Sequence, residues 1–183
     1  MERSPDGQPL TREMVGLARD FCHLIERVGE RREPGWLKEV FGLLPRLHVA
    51  VVSLTDPGGK GPEEPDPENW PGDEHDHLEA LDDRFELYTR LRSELGEHDG
   101  YWLEFDPVGD AHDDMSGSLA DDLADIYYDV KRGLALFDEA DDADHSDDAV
   151  HFWKRSYRLH WGQHLVDAER HLFSLKARNR LDH

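Results

Sequence analysis

The chain has 183 residues, one cysteine (Cys22) and a formal net charge of -21 at pH 7. This charge argues against binding to nucleic acid or to an anionic membrane surface, because phosphate groups would be repelled. A lone cysteine excludes an internal disulfide and is typical of a cytoplasmic protein. No apolar run approaches the roughly 20 residues of a membrane span. We expect one domain over residues 1–183, with residues 1–10 disordered.

Helical periodicity of the apolar residues predicts five helices, at about 11–30, 35–54, 74–95, 118–139 and 147–177. The Pro- and Gly-rich residues 56–73 are expected to form a mobile surface loop. Residues 96–115 are expected to form an irregular segment that is anchored to the core by Tyr101, Trp102, Leu103 and Phe105. No strand with a partner is predicted. The fold class is therefore all-α, a single-domain bundle of about five helices with a long loop.

Several local features refine these helices. Thr11 is the expected N-cap of the first helix, and Pro45 is expected to kink or split the second. The third is predicted to bury a seam at a spacing of three or four residues, made of Leu78, Leu81, Phe85, Tyr88, Leu91 and Leu95. In the fifth, one apolar flank recurs every seventh residue and is expected to be buried; its members are Phe152, Leu159, Val166 and Phe173.

The fifth helix also carries polar side chains that the same periodicity turns inward. His160 and His164 have the i, i+4 spacing with which two imidazoles can reach one metal ion. Asp167 could ligate as well or orient a histidine, and His171 lies farther along the same arc. The alternative is that these histidines only form hydrogen bonds inside a helix interface, since the full His-Glu-x-x-His signature is absent.

The fourth helix carries Asp122, Asp125 and Asp129 on one edge, at a spacing that can share Mg²⁺ or Mn²⁺ through carboxylate oxygens. The alternative is a set of ion pairs with arginines of neighbouring helices, for which the candidates are Arg90, Arg92 and Arg132. The phrase Asp-Leu-Ala-Asp is similar to a metal-binding motif of all-α nucleotide pyrophosphohydrolases. That resemblance implies a second acidic helix, for which the nearest candidates are Glu79, Asp82, Asp83 and Glu86.

Two longer motifs resemble an uncharacterised bacterial family, domain of unknown function 5063. The first motif matches at Asp122–Ile126, Tyr127 and Asp129, and the second at Trp161, Gly162, Gln163 and Leu165. The resemblance implies a helical bundle and no known activity. It also implies that Tyr127, Trp161 and the carboxylate helix are shared features, whereas the three histidines are particular to this chain.

The sequence is compatible with three functions. The leading hypothesis is a non-enzymatic interaction or accessory protein whose acidic face binds an unidentified protein partner and which needs no cofactor, because no complete catalytic set of residues is visible. The second is a divalent-metal-dependent hydrolase that holds Mg²⁺ on the three aspartates. The third is a transition-metal binder that uses His160 and His164.

Overall fold

The computed structural model describes residues 7–29, 35–55, 74–103, 115–139 and 146–181. Its elements are α1 (Gly7–Glu26), α2 (Trp36–Ser53), α3 (Glu74–Leu95), β1 (Gly100–Leu103), β2 (Met115–Ser118), α4 (Leu119–Asp138), α5 (Ser146–Ser156) and α6 (Gly162–Ala177). A π turn, Tyr157–Trp161, joins α5 to α6 into one rod, and a short 3-10 turn follows α3. The described chain is thus the all-α bundle of five helical rods that the periodicity predicts.

The fourth helix lies at the centre of the bundle. It packs against α1, α3, α5 and α6, whereas α2 covers α1 and the α5–α6 rod. Its fully buried side chains include Leu119, Leu123 and Ile126. Burial of each such side chain stabilises the fold by roughly 1.5–3 kcal/mol relative to exposure. The position of α4 brings its polar edge against α3 on one side and α6 on the other.

The first two helices differ from expectation in detail. The first begins at Gly7 rather than at Thr11, so residues 7–10 are part of the helix. Pro9 lies in the first turn, where a missing N–H costs no helical hydrogen bond. Pro45 does not split the second helix, which runs from Trp36 to Ser53.

Two predicted apolar seams are only partly buried. In α3, Leu91 and Leu95 are buried as predicted, whereas Leu81 and Phe85 are exposed, Phe85 to 69%. Leu87, which the predicted seam did not include, joins the buried face.

In the last rod, Phe173 is 65% exposed, and the side chains of Leu159 and Val166 are exposed as well. The π turn explains the second error. The extra residue in this turn rotates α6 relative to α5 by about one residue position. Residues seven positions apart on opposite sides of the turn therefore do not lie on the same face of the rod.

The segment after α3 forms a two-stranded antiparallel hairpin, which corrects the expectation of a chain without strands. Tyr101 pairs with Gly117 across the hairpin. A Cβ at Gly117 would collide with the Tyr101 ring, so only glycine lets that ring lie across the partner strand. Tyr101 is buried as expected, but Trp102 is 70% exposed.

Some predictions concern residues outside the described part of the chain. They are the loop at 56–73, the side chains of Leu78, Glu79 and Leu103, and the aromatic anchor Phe105. Among the helices that the structure describes, none is both long and apolar enough to cross a membrane.

Candidate metal centre

Three side chains from neighbouring helices meet at one point of the bundle. They are Asp125 of α4, His160 of the π turn and His164 of α6. Asp125 Oδ2 lies 3.0 Å from His164 Nε2 and 3.7 Å from His160 Nε2. Ligands placed tetrahedrally about 2.1 Å from Zn²⁺ would be about 3.4 Å apart. The two observed distances lie on either side of that spacing.

Each histidine presents Nε2 to Asp125 because another carboxylate holds its Nδ1. His160 Nδ1 is 2.7 Å from Asp129 Oδ2, and His164 Nδ1 is 2.9 Å from Asp122 Oδ1. An ionised carboxylate only accepts, so each Nδ1 donates and the neutral ring keeps a lone pair on Nε2. A carboxylate that orients a histidine in this way is the usual outer partner of a metal ligand.

A tyrosine from the hairpin holds the deeper of these carboxylates. The hydroxyl of Tyr101 donates a short hydrogen bond to Asp122 Oδ2. The Tyr101 ring in turn stacks on His171, with 4.6 Å between ring centroids. A series of hydrogen bonds, from Tyr101 to Asp122 to His164, therefore connects the hairpin with the point where the three side chains meet.

The start of α4 sets the direction in which Asp122 points. Ser118 caps the helix, and its Oγ accepts a hydrogen bond from Asp121 N at 3.3 Å. The buried carboxylate of Asp99 accepts from Ser118 Oγ at 2.9 Å and from Ala120 N at 2.8 Å. A carboxylate at a helix N-terminus satisfies free N–H groups and is favoured by the helix dipole.

The π turn decides where His160 points. Gly162 N–H donates to the carbonyl oxygen of Tyr157, a bond that spans five residues. A Cβ at Gly162 would collide with that oxygen. The Tyr157 hydroxyl lies 2.8 Å from His48 Nε2, and His48 Nδ1 lies 3.1 Å from Glu169 Oε2. This brace from α2 holds the turn, and π turns are frequent at functional sites.

An arginine from α3 completes the site. Arg84 contacts Asp125 Oδ1, the oxygen that faces away from the histidines. The alternative interpretation of the carboxylate edge is an ion pair with an arginine, and the structure has one between Asp125 and Arg84, which is not among the three candidates that the sequence suggests.

The acidic residues of α3 do not share this position. Asp82, Asp83 and Glu86 are exposed, so among the described side chains of α3 it is Arg84 that meets the carboxylate edge of α4. The second acidic helix implied by the pyrophosphohydrolase resemblance is thus not found among those side chains.

Burial and pairing shift the pKa values of the inner pair in the same direction. Burial raises the pKa of Asp122, and hydrogen bonds from His164 and Tyr101 only partly offset it. The hydrogen bond to Asp122 raises the pKa of His164 against the opposing effect of burial. The pKa of Tyr101 is strongly raised, mainly by burial and then by Asp122, so its hydroxyl stays a donor.

Two of the four residues predicted as metal ligands on the fifth helix lie elsewhere. Asp167 accepts a hydrogen bond from Gln163 Nε2 at 2.8 Å. His171 is buried, and its Nε2 lies 2.7 Å from the carbonyl oxygen of His98. Neither belongs to the group formed by Asp125 and the other two histidines.

The two motif aromatics serve the packing of other helices. Tyr127 donates to Glu26 Oε1 of α1 at 2.7 Å and lies within 2.5 Å of Lys131 Nζ. Trp161 is fully buried at the end of the π turn and donates to Ser156 Oγ at 2.9 Å. Within the described structure, these contacts place both residues in the framework around the site.

Sequence reasoning missed Arg84 and Tyr101. For Arg84 a signal exists, because Leu87 and Leu91 follow it at i+3 and i+7 and therefore share its helix face. For Tyr101 no local signal exists, since a hairpin brings it to Asp122 from 21 residues away.

The similarity to known proteins extends over nearly the whole chain. The sequence signature of domain of unknown function 5063 matches residues 6–178. The chain belongs to this family. Among solved structures, protein BF1032 from Bacteroides fragilis is similar to this member of the 5063 family, with a TM-score of 0.67, 26% identity and 90% coverage of each chain. No curated protein matches.

Proposed function

We propose that this protein binds a divalent transition-metal ion through Asp125 Oδ2, His160 Nε2 and His164 Nε2. One observation carries the proposal: both imidazoles have Nδ1 held by a carboxylate and direct Nε2 at the same buried oxygen. Two nitrogens and one oxygen favour Zn²⁺ or Fe²⁺ over Mg²⁺, which prefers oxygen ligands alone.

The balance of charge supports a cation at this point. Asp122, Asp125 and Asp129 surround the histidines, and one guanidinium, that of Arg84, offsets them. With neutral imidazoles, two negative charges remain uncompensated. A divalent ion would neutralise them, and so would two imidazolium rings. The second arrangement is the competing one, in which the histidines form ion pairs and bind no metal.

Three protein ligands leave a coordination position open, which is typical of catalytic zinc sites. The exposed fractions are 46% for the His160 side chain and 41% for that of Arg84, so solvent reaches the site. A water on the metal would be acidified and become a nucleophile. Arg84 beside it would favour an anionic substrate. These features support hydrolysis as the use of the metal.

Elemental analysis of untagged protein purified without chelator, and Zn²⁺ titration calorimetry on the same protein after metal removal, test the proposal. We expect one Zn²⁺ per chain, and loss of that binding in His164→Ala. His23→Ala removes an exposed histidine from α1 and is the matched control. Wild-type protein that takes up no zinc, or a His164→Ala variant that binds as tightly as the control, would overturn the proposal.

A protein partner for the acidic face stays a prediction of the composition. If the protein binds no zinc in the titration, the hypothesis of an interaction protein is favoured, because such a protein requires no ion at the histidines.

A further inference from the structure

We propose that a pocket beside the hairpin binds a small phosphate-bearing anion, at a site separate from the metal ligands. The pocket has a volume of about 210 Å³ and lies between β1 and the C-terminal end of α6. Arg170, Arg178 and Arg180 all line it. On a chain whose net charge is -21, three guanidiniums around one cavity are a local reversal of sign.

The backbone at the end of α6 places two of these arginines. Asn179 has a positive φ of 56°. Arg180 N–H donates to the carbonyl oxygen of Leu175 at 2.9 Å. This is the six-to-one bond of a Schellman motif, which turns the chain back at a helix end. Leu181 is buried just beyond it, so the turn that carries Arg178 and Arg180 is anchored in the core.

The three guanidiniums are engaged to different degrees. Arg180 Nη2 lies 3.0 Å from Glu97 Oε2. Arg170 lies over the Tyr101 ring, with its Cζ 5.8 Å from the centroid, and its Nε is 4.0 Å from Asp167 Oδ1. Its Nη2 also lies 3.5 Å from the carbonyl oxygen of Trp102. The side chain of Arg178 makes no hydrogen bond or ion pair with any residue in the described part of the chain. The pocket therefore holds more positive charge than its own walls neutralise.

The chemistry of the walls points to phosphate. A guanidinium offers paired N–H donors that match two oxygens of a phosphate group. The helix C-terminus itself carries partial negative charge and repels anions, so binding here must come from the arginines. A water occupies about 30 Å³ of liquid, so a cavity of about 210 Å³ has room for several waters or for a small anion in their place.

The test uses inorganic pyrophosphate as the probe, titrated by calorimetry into metal-free wild-type protein at low ionic strength. We expect Arg178→Ala to weaken binding at least about 10-fold, and Arg178→Lys to keep part of it because the charge remains. Arg12→Ala removes an exposed arginine from α1 and should change nothing. Because the titration uses metal-free protein, binding measured in it does not involve an ion at the metal centre.

Three results would overturn the proposal. They are no binding by the wild type, equal affinities of Arg178→Ala and Arg12→Ala, and citrate binding as tightly as pyrophosphate. The last would show that the pocket selects carboxylates or charge alone. Circular dichroism and thermal unfolding of each variant confirm that the fold is intact.

Discussion

His164 Nδ1 donates a hydrogen bond to Asp122 Oδ1 across the interface between α6 and α4, at 2.9 Å. This one contact joins the two helices that the sequence marks as unusual. It also determines which ring nitrogen is left for Asp125, because a neutral imidazole has one donor and one acceptor.

Replacement of Asp122 tests whether the carboxylate that holds His164 Nδ1 supports metal binding. We expect Asp122→Asn to lower the affinity for Zn²⁺ by about 10- to 100-fold, because the histidine loses the partner that orients it. Tyr101→Phe should act in the same direction and more weakly, since it removes one hydrogen bond from Asp122. Titration calorimetry measures both. Asp121→Asn, an exposed neighbour with the same change of charge, is the control, and an equal loss there would show that only net charge matters.

Replacement of Arg84 separates a metal centre from a plain ion-pair network. At a metal centre, Arg84→Gln removes a nearby positive charge and should raise Zn²⁺ affinity about 3- to 10-fold. In a metal-free network, the same change would lower the melting temperature, and zinc would bind neither protein. Calorimetry and thermal unfolding together distinguish these results. Arg90→Gln, an exposed arginine of α3, serves as the control.

Gly162 tests the π turn. Its Cβ-free backbone packs against the carbonyl oxygen of Tyr157, which cannot move without breaking the turn. We expect Gly162→Ala to lower the free energy of unfolding by about 1–3 kcal/mol and to weaken zinc binding by displacing His160. Gly16→Ala is the control, since Gly16 lies in α1 with open space around it. That variant should be as stable as the wild type or up to about 1 kcal/mol more stable.

Glu26 lies away from the metal centre and makes the stability of the fold depend on pH. Burial alone would raise its pKa, but hydrogen bonds from Tyr127 and Lys131 outweigh this and lower the pKa below the ordinary value of 4.5. A lowered carboxyl pKa stabilises the fold at pH values above the unfolded pKa. This contribution is lost as the pH falls through the folded pKa.

We therefore expect Glu26→Gln to cost up to about 1 kcal/mol at pH 7, the range for half-exposed pairs. The difference from the wild type should shrink as the pH falls below 4.5. Urea unfolding at several pH values measures it. Glu13→Gln, an exposed position on the same helix, should show no such convergence, and a constant gap for Glu26→Gln would contradict the assignment.

The helices and the separate parts of the site are readable from the sequence because both depend on local spacing. The apolar period predicts α3 with its observed bounds and α4 to within a residue at each end. The i, i+4 spacing of His160 and His164 predicts their convergence, which the structure has. The exposed Val166 and Phe173 are missed because an inserted π turn changes the face of the helix without any strong local signal.

The sequence by itself determined the all-α class, the family and the two polar edges, one of carboxylates and one of histidines, because these are properties of short segments. Only the tertiary structure decided that the two edges face each other, that Arg84 and Tyr101 join them, and that three arginines surround a pocket. The contacts of Arg84 with Asp125 and of Tyr101 with Asp122 link residues tens of positions apart. These contacts and the pocket depend on helix rotation, on a hairpin and on the end of α6, which spacing along the chain does not encode.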